Sequence, residues 1–143
     1  HGDQIEAAVT ASRIAACDEG GAVFAPLAMG GARGLRFSGL PTERLARWLD
    51  GMNSAILTAM RTLDDIEAWT GRAENVMAQL SGRTPLALRR TFSQWPLVSA
   101  PMAEATTGAS RAAVQRNLAW MEASGLIREV TGQGRFRMWK ATG

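Results

Sequence analysis

Apolar residues recur at helical spacing over much of this chain, and the longest such run is also the most regular. From Leu45 they step by alternating fours and threes: Leu45, Leu49, Met52, Ile56, Ala59, Leu63, Ile66, then Ala73, Met77 and Leu80, with Thr70 the one interruption. A seam of that period favours long helices packed at a shallow angle. Trp48, Met60 and Trp69 widen it. Pro41-Thr42 opens the element, with Thr42 as N-cap and Glu43 favourable in the first turn, and Ser81-Gly82 closes it. Gly51 and Gly71 are its weak points, and Gly71 is where it can split into two helices. Upstream, Gln4 to Cys17 is Ala-rich, carries Ile5, Val9 and Ile14 on a loose stripe, and stops at Gly20-Gly21. Residues 22–40 contain several glycines, one proline and no clear period, which predicts a long irregular loop.

The pattern changes after residue 82. Thr84-Pro85 caps and starts a helix that offers Leu86, Leu88, Phe92 and Trp95 to a core. From Leu97 the chain reads LVSAPMAEATTGASRAAVQRNLAWMEASGLIREVTGQGRFRMWKA, which parses as helix, tight turn, helix and basic β-hairpin. Thr107-Gly108-Ala109 is the turn, and Ser110 is a good N-cap for the next helix. In that helix Val114, Leu118 and Met121 form an apolar stripe. Gly125 is a natural left-handed C-cap, followed by the apolar pair Leu126-Ile127. Two strands follow, Leu126 to Val130 and Arg135 to Ala141, joined through Thr131-Gly132-Gln133-Gly134. Phe136 and Met138 alternate with Arg135, Arg137 and Trp139, so one strand face can cover the core while the other stays wet. The expected fold is mainly α: a helical region over 1–82 and a winged helix-turn-helix with a small β-hairpin wing over 83–143.

The run GASRAAVQRNLAWMEASGLI resembles the recognition-helix segment of bacterial winged-helix regulators of the GntR and MarR kind. SGLIREVTGQGRFRMWKA is similar to the winged helix appended to many Fic-type proteins and to rhizobial helix-turn-helix proteins of unknown function. The resemblance covers roughly the last third of the chain. It implies a DNA-binding function, with Ser110 and Arg111 matching the Ser-Arg helix start and Gln115 falling where a base or phosphate contact is common. Ala113 departs from the pattern, in which Thr is usual. Fic catalysis needs an internal His before a Gly-Asn-Gly-Arg stretch, and the single His here is His1.

Charge follows the same division. Residues 83–143 carry nine basic side chains against three acidic ones, net +6, whereas 1–82 carry seven Arg against ten acids, net −3. A basic module on a mildly acidic one fits a phosphate-binding end on a non-binding body. Fifteen Arg to one Lys also indicates a composition that favours Arg everywhere, which explains the residue type but not the asymmetry. On the second helix Arg111, Ala112, Gln115, Arg116 and Ala119 lie opposite the apolar stripe. Arg and Gln can read guanine and adenine edges, and Ala permits close approach to the bases. The wing adds Thr131, Gln133, Arg135 and Arg137, with Lys140 beyond, as phosphate or minor-groove contacts. The plain alternative is a solvated helix face and a charged edge that deters aggregation.

Other chemistry is thinly represented. There is no GxSxG, CxxC, HExxH, P-loop or dinucleotide fingerprint, so no enzyme and no cofactor or metal is expected. Gly30-Gly31-Ala32-Arg33-Gly34 lacks the Lys-Ser/Thr of a phosphate cradle, and Asp64, Asp65 and Glu67 read as a solvated helix face. One cysteine, Cys17, fits a reducing cytoplasm, and no run approaches a membrane span. The chain opens on His1-Gly2 rather than Met, which reads as a cut point in something longer. The 42–81 seam is open to intrachain packing or to homodimerisation. The main expectation is a double-stranded-DNA-binding bacterial regulator. Its rival is a docking module without DNA binding that uses Trp48, Trp69, Trp95 and Trp120, and a toxin–antitoxin or mobile-element component is not separable from a regulator.

Overall fold

The computed structural model describes residues 2–16, 25–30, 32–36 and 38–143. Cys17, Gly20-Gly21 and the start of the 22–40 segment lie outside them. Helix α1 spans Gly2–Ala16, α2 Pro41–Met77, α3 Arg83–Gln94, α4 Ala100–Thr107 and α5 Arg111–Ala123. Strands β1 (Val98–Ser99), β2 (Ile127–Glu129) and β3 (Met138–Ala141) complete the chain. The protein is mainly helical, with one small antiparallel sheet near its C-terminus, consistent with a winged helix-turn-helix. It divides into two compact units, 1–63 and 64–143.

In the first unit the Val9 and Ile14 stripe of α1 is not buried: both side chains are exposed, and Ser12 is the buried one. The segment expected to be irregular contains two single-turn 3₁₀ helices, Leu27–Gly30 and Ala32–Leu35. Glycine seats this segment on α2. A Cβ at Gly34 would lie 3.2 Å from the Gly51 Cα, and one at Gly51 would lie 2.8 Å from the Gly34 Cα. Gly51 is therefore a contact point rather than a weak point. Leu27 and Met52 are buried beside it, with Trp48 and Ala25 packed around them.

Helix α2 runs unbroken for 37 residues, through both Gly51 and Gly71. Its start is one residue earlier than Thr42. Pro41 takes the first helical position, and the Leu40 N–H donates to Glu43 Oε2 at 3.1 Å, one half of a capping box. Gly71 does not split it because Trp69 and Ala73, on either side, are held in the core of the second unit.

That core explains where the second unit begins. Trp69, Ala73 and Met77 of α2 are buried with Leu88 and Phe92 of α3, Val98 of β1, Ala103 of α4, the α5 stripe, and Leu126, Ile127 and Trp139. The unit containing the expected 83–143 module thus starts at Asp64, inside α2. Trp69 is 2% exposed; its indole N–H donates to the Leu126 carbonyl at 2.7 Å, and its ring lies 6.3 Å from that of Phe92. Helix α3 starts at Arg83 with Gly82 as N-cap, in place of the expected Thr84-Pro85 start. Leu88 and Phe92 enter the core, while Leu86 and Trp95 remain exposed.

Two local expectations are corrected around the sheet. The helix expected from Leu97 begins only at Ala100, because Val98–Ser99 forms a strand and Ser99 caps α4, accepting from the Met102 N–H at 3.3 Å. Strand β3 is central, with β1 on one edge and β2 on the other; Val98 and Glu129 both face Trp139, and Arg128 faces Lys140. The hairpin strands are shorter than expected, and their core side is inverted. Trp139 is buried against Val98, whereas Phe136 stands outside the strand with φ 57°.

Candidate nucleic-acid interface

The helix-turn-helix is built by its caps. Gly108 ends α4 in the left-handed region, φ 65°, and its N–H donates to the Glu104 carbonyl at 3.0 Å. Ser110 then starts α5, its hydroxyl accepting from the Ala113 N–H at 3.4 Å. At the far end Gly125, φ 70°, completes a Schellman motif. The Leu126 N–H reaches the Met121 carbonyl at 2.9 Å and the Gly125 N–H the Glu122 carbonyl at 3.0 Å. Both signals are local, which is why the sequence carries them.

Val114, Leu118 and Met121 are fully buried, and this fixes the rotation of α5. Ser110, Arg111, Ala112, Gln115, Arg116 and Ala119 are consequently exposed. Neither Arg111 nor Arg116 has an acidic partner among the described residues. The face therefore combines two unpaired guanidinium groups, one carboxamide and two methyl side chains, donors and small surfaces suited to base edges and phosphates.

The hairpin is fastened to this helix by Glu122, a residue that no sequence signal singled out. Its Oε2 accepts from the Trp139 indole N–H at 3.2 Å and from Arg137 Nη2 at 3.3 Å. The Arg137 guanidinium stacks over the Trp139 ring at 4.8 Å. Arg137 is thus half-exposed and engaged at the base of the wing, not at its tip. Thr131 is similarly engaged. Its hydroxyl donates to Glu129 Oε1 and accepts from the Met138 N–H at 3.3 Å. The Glu129 carboxylate also accepts the N–H groups of Thr131 at 2.7 Å and Gly132 at 3.0 Å. The Thr131 hydroxyl above all, then these backbone donors and nearby Arg137, hold its pKa below the usual carboxylate range.

Gln133 and Arg135 are exposed in the wing loop and Arg135 has no acidic partner among the described residues. Arg128 and Lys140 add a further basic pair. They are opposed in register on the sheet face turned away from buried Ile127 and Trp139. Alternation with Ile127 and Trp139 is the sequence signal for that face. Among the described residues no group of His, Cys, Asp and Glu is placed to hold a metal ion, and no helix is long and apolar enough to cross a membrane.

Residues 88–141, from within α3 to the end of β3, match a family described as HTH DNA binding domain. The match supports a helix-turn-helix domain and DNA binding by it. No curated protein and no solved structure matches the chain.

Proposed function

We propose that residues 83–143 act as a winged helix-turn-helix that recognises double-stranded DNA, with α5 in the major groove and the hairpin beside it, in a bacterial transcriptional regulator of the kind the GntR- and MarR-like helix start implies. The carrying observation is the exposed α5 face: Arg111, Gln115 and Arg116, with Ala112 and Ala119, opposite a stripe that is wholly buried. A helix whose inward side is fixed by packing presents its outward side in one orientation, which base readout requires. The role is one of binding rather than catalysis.

The test is fluorescence anisotropy of the chain with random-sequence duplex at neutral pH over a series of salt concentrations. Micromolar affinity falling linearly on a log–log salt plot is the expected result. Arg135→Ala should weaken binding to every sequence and lower the slope by about one. No binding at low salt would sink the proposal and favour a docking module.

The regulator is further proposed to be a homodimer joined through α2. Leu45, Leu49, Ile56, Met60 and Leu63 lie within roughly a 60° arc at ~100° per residue and are 45% to 63% exposed. Beyond Leu63, Trp69, Ala73 and Met77 of the same helix are buried in the core of the second unit. Contiguous exposed apolar surface of this kind marks an interface. The occupant proposed for it is the same stripe of a second copy. Sedimentation equilibrium should show a concentration-dependent dimer that Ile56→Glu returns to monomer. A wild-type monomer at all concentrations, or a dimer indifferent to Ile56→Glu and to Leu63→Glu, would refute the interface.

A further inference from the structure

Phe136 is anomalous in two independent ways. It is 88% exposed, more than any other large apolar side chain among the described residues, and its backbone is left-handed, φ 57°, which is strained for a bulky non-glycine residue. Free chain and folded unit gain almost nothing from its ring, and the backbone conformation that displays it costs stability. Its surroundings are equally specific. Arg135 precedes it, exposed and without an acidic partner among the described residues; Arg137 follows, tied to Glu122 and stacked on Trp139. The loop before it is thin: at Gly132 and Gly134 a Cβ would meet nothing within 4 Å. The ring is therefore carried on a narrow tip whose base is fixed to α5.

We propose that Phe136 is an apolar wedge that enters the minor groove of duplex DNA and partly unstacks one base step, with Arg135 on the adjacent phosphate. This rests on the DNA-binding reading above and adds to it a contact of a different kind. A narrow tip suits the minor groove, which is only about 6 Å wide. Phenylalanine inserted at a base step bends the duplex toward the major groove, the groove in which that reading places α5. Such a wedge favours flexible pyrimidine–purine steps, because their unstacking costs least. The wing would then contribute sequence preference through deformability, without a hydrogen bond to any base.

The experiment compares wild type, Phe136→Ala, Phe136→Gly and Phe136→Leu on end-labelled duplexes that differ by a single TA step, reading affinity by anisotropy and bend by end-to-end energy transfer. Wild type should bend the duplex and prefer the TA-containing one. Phe136→Ala should lose the bend and bind on the order of tenfold more weakly. Phe136→Leu should recover part of both. Phe136→Gly should also lose bend and affinity while its melting temperature stays level or rises, since glycine relieves the left-handed strain. A residue that served only the fold could not move binding and stability in these directions. Wild-type binding with unchanged affinity and bend in Phe136→Ala overturns the wedge and leaves the DNA reading standing. Tighter binding to single-stranded than to duplex DNA, lost in Phe136→Ala, overturns it in favour of base stacking. Absence of any wild-type binding removes the DNA reading and the wedge together.

Discussion

Trp69→Ala is expected to destabilise the second unit by about 3–5 kcal/mol, the range for removing a large aromatic side chain from a packed core. Three losses combine in it. The indole is almost fully buried, it packs against Phe92 with ring centroids 6.3 Å apart, and its N–H closes onto the Leu126 carbonyl at 2.7 Å. That carbonyl keeps another donor, the Thr142 N–H at 3.0 Å, so the cavity rather than an orphaned acceptor dominates. Trp69→Phe retains most of the apolar area and should cost only about 1–2 kcal/mol. Urea unfolding followed by circular dichroism separates the two variants. A loss below about 1 kcal/mol for Trp69→Ala, on the scale of a surface substitution, would mean that the end of α2 is not part of this core.

The second large effect concerns recognition. Arg111→Ala and Gln115→Ala should each cost about 1–3 kcal/mol on the preferred duplex and relax preference at a base position, because a bidentate contact to a base edge is lost. Both side chains are exposed on α5 and neither is used in the core, so melting temperatures should stay close to wild type. Anisotropy against the preferred sequence and against random duplex gives the discriminating readout. A specificity ratio that falls identifies base readers. An equal loss on both duplexes makes these residues phosphate contacts, and no loss on either places the α5 face outside the interface.

The parts of this molecule legible in its sequence are those fixed by near neighbours. Ser110 and Gly108 mark the turn because a hydroxyl cap and a left-handed glycine act within three or four residues, and Val114, Leu118 and Met121 share a face by helix geometry alone. The remaining features depend on partners distant in the chain. Val98–Ser99 is a strand because β3 lies beside it some forty residues later, and two residues in an otherwise helical run carry no strand period. Trp139 took the buried side of its strand because Val98 meets it there, which reversed the expected alternation and left Phe136 outside. Glu122 looked like any glutamate on an amphipathic helix until the wing returned to it. The 45–80 seam was legible as a seam, but not which of its residues are covered: Met52 is buried with Leu27, while Leu45, Leu49, Ile56 and Leu63 are exposed.

The Glu122 clasp has a consequence for how binding proceeds. One carboxylate oxygen holds both Trp139 and Arg137, so the base of the wing and the end of α5 are already ordered relative to each other before any duplex arrives. On the proposed DNA-binding reading, association would not bear the entropy of assembling them. Among the described residues the tip from Gln133 to Phe136 shows no comparable tie. Two successive events follow from this contrast. In the proposed complex the helix and wing base would dock as a single rigid body at a rate set by diffusion and charge, and the tip would settle afterwards and govern residence time.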